Sequence, residues 1–305
     1  MLNSFRNAGE TFSVPSQRFD KFRIERSLQL FEFDVITINA QGQQIRQERG
    51  QAKYFTEDLG NGVTLDLVTI PSGEFMMGSL EGEEGSRANE YPQHLVTIKS
   101  FFISKYPVTQ SQWWAVSALP KVNFNLKPHP SRFTGDNHPV ERVSWHDAVE
   151  FCARLSIKTG SEYCLPSEAE WEYACRAGST TPFHFGDTIT SYLANYRGTT
   201  SYANAAPGEY RGATTPVGSF HNNAFGLYDL HGQVWEWCAD SWHDDYEDAP
   251  TNNSIWQSND NNDYHILRGG SWYDIPVSCR SACRVKGGRG GGLVSNVGFR
   301  VVCTA

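Results

Sequence analysis

The residues best equipped for chemistry in this sequence are its cysteines, at 152, 164, 175, 238, 279, 283 and 303. A thiolate can act as a nucleophile or hold a soft metal ion. Their number is odd and no two stand in a Cys-x-x-Cys pair, so no redox dithiol can be read locally. The nine histidines fall at no spacing that would build a zinc site. A second candidate is the acidic cluster Asp240, Asp244, Asp245, Glu247 and Asp248. It sits in a polar stretch where water keeps carboxylates near their ordinary acidity. The expectation is a solvated loop face, not a catalytic pair.

The last two cysteine positions that could matter, 279 and 283, lie in an unusual tail running from Tyr264 to Ala305. Sharply specified blocks, Arg268-Gly269-Gly270-Ser271-Trp272, Cys279-Arg280-Ser281-Ala282 and Gly298-Phe299-Arg300-Val301-Val302, alternate with stretches that follow no period. A scaffold carrying a freely chosen surface would look like this, and so would a degenerate loop.

The elements that must position this tail are sparse. Residues 1–25 are polar and read as a loosely ordered lead-in, and 26–62 as a small β-hairpin appendage. Leu28 to Ile38 would pair with Gln44 to Phe55 across a turn at Gln41-Gly42-Gln43. The main domain is expected over 63–305. Val63 to Ile70 and His94 to Lys105 alternate as strands, with an exposed acidic loop from Leu80 to Tyr91 between them. Three helices carry start signals. Thr109 with Gln112 forms a capping box, Ser144 caps a helix stopping near Gly160, and Ser167 with Glu170 opens a helix ending at Gly178. Beyond Ser179 helix signals vanish into Gly, Asn, Asp and aromatic residues. Long irregular loops of this kind are functional or tied down.

Composition bounds the rest. A chain of 305 residues can bury a sizeable core. Aromatics at 13%, with nine Trp, point to a loop-rich core or a binding surface. A net charge of −8 argues against nucleic acid as the main partner. No apolar run is long enough to span a membrane. Met1 to Pro15 lacks the apolar core of a secretory signal, so reduced thiols and a cytoplasmic setting are expected.

Several blocks in order carry a resemblance: Phe75-Met76-Met77-Gly78-Ser79, Tyr106-Pro107-Val108-Thr109, Leu165 through Tyr173, Phe225 through Gly232, Val234-Trp235-Glu236-Trp237, Arg268 through Trp272 and Gly298-Phe299-Arg300. From about residue 63 to 303 the chain resembles the formylglycine-generating-enzyme/sulfatase-modifying-factor domain family. The resemblance implies an α+β, C-type-lectin-like fold with little regular structure and long loops. The family's enzymes hold copper(I) between two cysteines, three and eight residues after the Ser of Gly-Gly-Ser. Those positions are Asp274 and Cys279 here, so one soft thiolate is replaced by a hard carboxylate and no copper site is expected. Cys279 is then a buried structural thiol. The resemblance also implies a structural calcium on Asp229, Gly232, Val234 and Glu236, with Gln233 where Asn is usual, and a weaker site on Asn195 and Tyr196. Trp235 and Trp237 are expected as core anchors.

The tail itself resembles the variable region of diversity-generating retroelement target proteins, in which adenines of Asn codons are randomised. Those codons can yield Tyr, Asp, Ile, Val, Ser, Cys, Gly and Leu, but not Lys, Glu, Gln, Met or Trp. The resemblance therefore assigns ligand binding to Tyr273, Asp274, Ile275, Val277, Ser278, Cys283, Val285, Leu293, Val294 and Ser295, and leaves Lys286 outside the reachable set. The expected function is non-catalytic binding of a protein or other macromolecule through a diversified surface. The alternative is a copper-dependent formylglycine-generating oxidase or another sulfatase-modifying enzyme.

Overall fold

A computed structural model describes residues 26–258, 264–288 and 294–304. The expected lead-in at 1–25 and the Asn/Asp run at 259–263 lie outside the described residues. Strands β1 (Gln29–Ile38), β2 (Gln44–Gly60) and β3 (Val63–Ile70) form an antiparallel meander. Its second turn places Asn61 and Gly62 at positive φ, 54° and 77°, as an Asn-Gly hairpin turn requires. The hairpin is not an appendage. β2 is far longer than the alternation suggested, and its second half pairs with β3, sinking Phe55 and Leu59 into the main core. Phe31 and Phe33 on β1 close over Gly226, where a Cβ would meet their rings at 2.6 and 2.7 Å.

β4 (Gly73–Met77) and β5 (His94–Ile98) make a separate two-stranded ribbon, and β6 (Phe101–Ser104) returns to the first sheet beside β3. The single strand expected over His94 to Lys105 is thus two strands in different sheets. All three helices start on the predicted residues. α1 (Gln110–Ser117) opens on Thr109, α2 (Trp145–Thr159) on Ser144 and α3 (Glu168–Arg176) on Ser167, each through a reciprocal capping box. α2 stops on Gly160 at φ 71°, while α3 stops one residue before Gly178, on Ala177 in the left-handed region.

Between α3 and the next strand no helix or strand forms, as the composition predicts. Buried amides tie this stretch down instead. Asn223 donates to the Ala174 carbonyl (2.6 Å) and accepts from the Phe225 and Leu227 amides. Gln233 exchanges hydrogen bonds with Thr215 and accepts from Asn195. Satisfying backbone groups through side chains allows irregular chain to be buried at all.

The C-terminal part builds a second sheet from β8 (Trp235–Ser241), β9 (His265–Arg268), β10 (Arg284–Lys286) and β11 (Val297–Gly298), ordered β10-β9-β8-β11. The last strand, β12 (Val302–Thr304), inserts between β6 and β7 (Tyr163–Cys164) in the first sheet. The tail therefore joins both sheets. The tail buries four arginines, Arg268, Arg280 and Arg300 from its fixed blocks and Arg284 from β10, each with no exposed surface and each paired to glutamate. Arg280 holds Glu90 at 2.8 Å and Glu83 at 2.5 Å. Arg284 holds both oxygens of Glu168 at 2.8 and 2.9 Å. Arg268 donates to Glu172, and Arg300 to both oxygens of Glu236 at 2.6 and 2.7 Å. The loop from Leu80 to Tyr91 is accordingly not a wholly exposed acidic loop. Glu83 and Glu90 turn inward because Arg280 neutralises them.

Removing one member of such a pair leaves a buried charge uncompensated. Arg280→Ala is expected to lose about 3–5 kcal/mol of unfolding free energy, measured by denaturant titration. A loss below about 1 kcal/mol would show that the pair does not anchor the tail.

Candidate binding face and its frame

Two glycines shape the entry to the tail. Gly269 and Gly270 take φ of 94° and 74°, and a Cβ on Gly270 would stand 2.6 Å from the Cys279 sulfur. This close approach sets Ser271 and Trp272 beneath the surface and turns Tyr273 out. Ser271 Oγ then donates to Asp274 and accepts from the Tyr273 amide and from Asn296 Nδ2 (3.1 Å). Trp272 Nε1 donates to the Ser295 carbonyl at 2.9 Å. These bonds clip the segment after Ser271 to the segment around Ser295, across a sequence gap that includes the 289–293 stretch.

The expected contact residues divide by burial. Tyr273, Ile275 and Val294 are exposed, at 50%, 37% and 50%. Val277, Val285 and Ser295 are half-buried. Val277 packs on Gly85, where a Cβ would lie 2.0 Å from its methyl, and Val285 leans on the main core. Two expectations fail. Ser278 is buried, and Cys283 has no exposed surface, because the turn into Arg284 places it within the core. Leu293 and glycines 290–292 lie outside the described residues. Asp274 is also not a free rim carboxylate. Its Oδ2 accepts from Trp235 Nε1 at 2.8 Å and from Ser271.

Burial raises the Asp274 carboxyl, opposed by the hydrogen bonds from Ser271 and Trp235 and by the guanidiniums of Arg197 and Arg87. Cys279 is completely buried, and desolvation with the nearby Asp274 charge pushes its thiol well up. The Cys283 thiol is raised by burial to about 11. Cys279 has a carboxylate, Asp274, beside it where copper(I) would take a second soft thiolate, so the residues present do not match that donor set. Trp235 and Trp237 are core anchors, as expected, at 6% and 1% exposure.

The calcium positions are brought together in part. Asn195 and Gly232 form a bridge, which sets the two candidate groups side by side. Asp229 Oδ2 accepts from the Gly218 amide, while its Oδ1 is a buried oxygen that no described donor reaches. Asn195 Oδ1 is unpartnered in the same way. Orphaned buried oxygens of this kind are what a hard cation satisfies. Glu236 offers less, since Trp171 and Arg300 already donate to Oε2 and Arg300 also donates to Oε1. At the weaker position, Tyr196 is buried with its hydroxyl on the Ile189 carbonyl, and the Glu209 carboxylate turns away to Arg211. Among the described residues no three His, Cys, Asp or Glu converge to hold a metal, so a cation here would depend on carbonyls and Asn.

The acidic cluster also needs one correction. Asp244, Asp245, Glu247 and Asp248 are exposed, but Asp240 closes β8 and is buried. Its oxygens accept from the Glu168 and Trp256 amides at 2.7 and 2.9 Å. Burial, with Glu168 beside it, raises its carboxyl to about 7.

Aromatic residues outside the tail complete the face. Phe133 meets Trp272 edge-on at 5.3 Å and Tyr210 stacks on it at 6.3 Å, while Arg197 lies over Tyr210 and Tyr273. Phe133, Arg197 and Tyr210 were missed from sequence because each sits in an aperiodic loop with no signal of its own.

The family model described as Sulfatase-modifying factor enzyme 1-like domain matches residues 56–305. The chain is 31% identical over 258 residues to the formylglycine-generating enzyme of Streptomyces coelicolor, covering 68% of this chain and 79% of that protein. It is 30% identical over 254 residues to the serine/threonine-protein kinase Pkn1 of Chlamydia caviae, covering 77% of this chain but spanning only 37% of the kinase. Among solved structures, Treponema denticola variable protein 1 shares the fold with a TM-score of 0.68 at 24% identity, over 83% of this chain and 99% of that one. No helix among the described residues is long and apolar enough to cross a membrane.

The raised Asp240 carboxyl makes stability depend on pH. In the unfolded chain this group ionises near 3.9, so its contribution is fully present below that pH and is lost as pH rises through about 7. Denaturant titrations at pH 5 and 7.5 should show a decline of up to ~1.4 kcal/mol per pH unit from this residue. The Asp240→Asn chain should show a flatter profile; an unchanged slope would count against the assignment.

Proposed function

The chain belongs to the Sulfatase-modifying factor enzyme 1-like domain family, and within that family we propose that it is a non-catalytic binding protein whose C-terminal tail displays a diversified surface. One observation carries the reading: within a single tail the fixed blocks are buried and charge-paired, while Tyr273, Ile275 and Val294 project outward from them. Side chains with no structural duty can change without unfolding the frame. The contact surface is Tyr273, Ile275 and Val294, with Val277, Val285 and Ser295 at its half-buried edge. A partly exposed tyrosine is among the side chains that most often dominate the energy of protein recognition, and the aliphatic groups around it add complementary surface. The fold it shares with a variable protein supports the same reading. Asp274 and the enclosed Cys279 speak against the copper oxidase, which the formylglycine-generating relatives keep as the competing activity.

The test has two parts. Tyr273→Ser and Val294→Ser should each change unfolding free energy by no more than about 0.5 kcal/mol. Incubation with copper(I) and a cysteine-containing sulfatase-motif peptide should leave the cysteine unmodified by mass spectrometry. A large loss of stability would sink the display surface, and a formylglycine product would establish the enzyme.

A structural calcium belongs to this reading too. The residues that would hold it are Asp229, through its unpartnered oxygen, the carbonyls of Gly232 and Val234, and Glu236; Asn195 and Tyr196 form the lesser site. When bound, the cation would neutralise a buried carboxylate and clamp the loop before β8. Calcium should raise the melting temperature of the wild-type chain and leave Asp229→Ala unmoved. A wild-type melting temperature indifferent to both calcium and chelator would refute it.

A further inference from the structure

Two arginines outside the tail, Arg132 and Arg197, flank the displayed face without a salt bridge; Glu141 lies near the first but takes the Arg132 and Phe133 backbone amides, and Asp274 lies near the second. Arg197 holds its guanidinium 5.1 Å from the Tyr273 ring centre and 5.5 Å from that of Tyr210. Tyr210 lies nearly parallel to Trp272, at 14°, and Phe133 abuts Trp272 edge-on. Arg132 in turn sits 5.3 Å over the Phe133 ring. A row of three rings therefore runs from one guanidinium to the other, with Tyr273 against the second.

Among the described residues neither guanidinium forms an ion pair or donates a side-chain hydrogen bond. The carboxylates beside Arg197 are already engaged. Glu209 pairs with Arg211 at 3.0 Å, and Asp274 is held by Ser271 and Trp235. The contrast with the frame is plain, since Arg268, Arg280, Arg284 and Arg300 each have a glutamate. A guanidinium lying on a ring face is fixed in place, yet its N–H edge remains free for bidentate bonding to a carboxylate.

Resting on the display reading above, we propose that Arg132 and Arg197 restrict the face to acidic patches on partner proteins. Both lie outside residues 264–305, so they stay constant while the tail varies. The varied side chains then choose which acidic partner is bound, and the arginine–aromatic row chooses the charge class. A polyanion such as nucleic acid fits less well. The chain carries a net charge of −8, and an extended polyanion laid along the surface brings many phosphates within the screening length of about 8 Å of that charge, where they are repelled. A local carboxylate cluster meets the two cations without that penalty.

The experiment is to pan a random 12-residue peptide library displayed on phage against the wild-type chain and against the Arg132→Gln/Arg197→Gln chain, after matching melting temperatures show both folded. Peptides enriched on wild type should carry an excess of Asp and Glu. Their synthetic forms should bind the double variant about tenfold more weakly or worse, the loss expected when charge-assisted bonds go. Enrichment without acidic bias, or equal binding by both chains, overturns the charge selection and leaves the display reading standing. No enrichment on either chain overturns both. Binding of a fifteen-residue oligothymidylate as tight as that of the peptides, and lost in the double variant, would assign the arginines to nucleic acid and overturn the proposal.

Discussion

Everything in this molecule depends on how four buried guanidiniums are neutralised. Arg268, Arg280, Arg284 and Arg300 are drawn from the last forty residues, and their carboxylates come from α3, from β8 and from the loop after β4. Each pair spans a large gap in sequence. Burying an ion is costly, and its attraction to one partner repays that cost only with good geometry and further hydrogen bonds. Arg280 illustrates the solution, adding the Ser79 hydroxyl and Gly85 carbonyl to its two glutamates. Against the desolvation that would raise it, Arg176 and Arg268 together hold Glu172 below the usual carboxylate range.

The consequence is a tail that cannot drift as a unit. Its last strand lies inside the first sheet and its earlier strands make the second, so a shift of the fixed blocks would break both. The residues between the blocks escape this constraint. Tyr273 leaves the Gly-Gly-Ser turn exposed, and Val294 is exposed two residues before Asn296, which is clipped to Ser271. Rigidity in the frame lowers the ordering cost of any contact the exposed side chains make.

The irregular middle of the chain follows the same economy of structure. Between α3 and β8, Asn223, Gln233 and Asn195 supply the hydrogen bonds that helices and strands supply elsewhere. The unpartnered oxygens of Asp229 and Asn195 mark the place where this side-chain network stays incomplete. The loops that it fixes deliver Arg197 and Tyr210 to the edge of the displayed face, while Glu141 and Gln110 hold Phe133 there from the loop between α1 and α2.

Sequence alone settled what depends on short-range rules. Thr109, Ser144 and Ser167 began their helices because a cap and its partner lie three residues apart, and the chain turned at Gly42 because few other residues tolerate positive φ. The alternation of fixed and irregular blocks in the tail was legible for a similar reason, since fixed chemistry leaves a local signature. What tertiary structure decided was burial. Asp240, Glu83 and Glu90 look like surface carboxylates until Glu168, Trp256 and Arg280 are placed against them, and Cys283 looks displayed until the core closes over it. The hairpin looked separable because its pairing with β3 and its packing over Gly226 are long-range facts. Exposure is set by neighbours distant in sequence, and no local pattern encodes who those neighbours are.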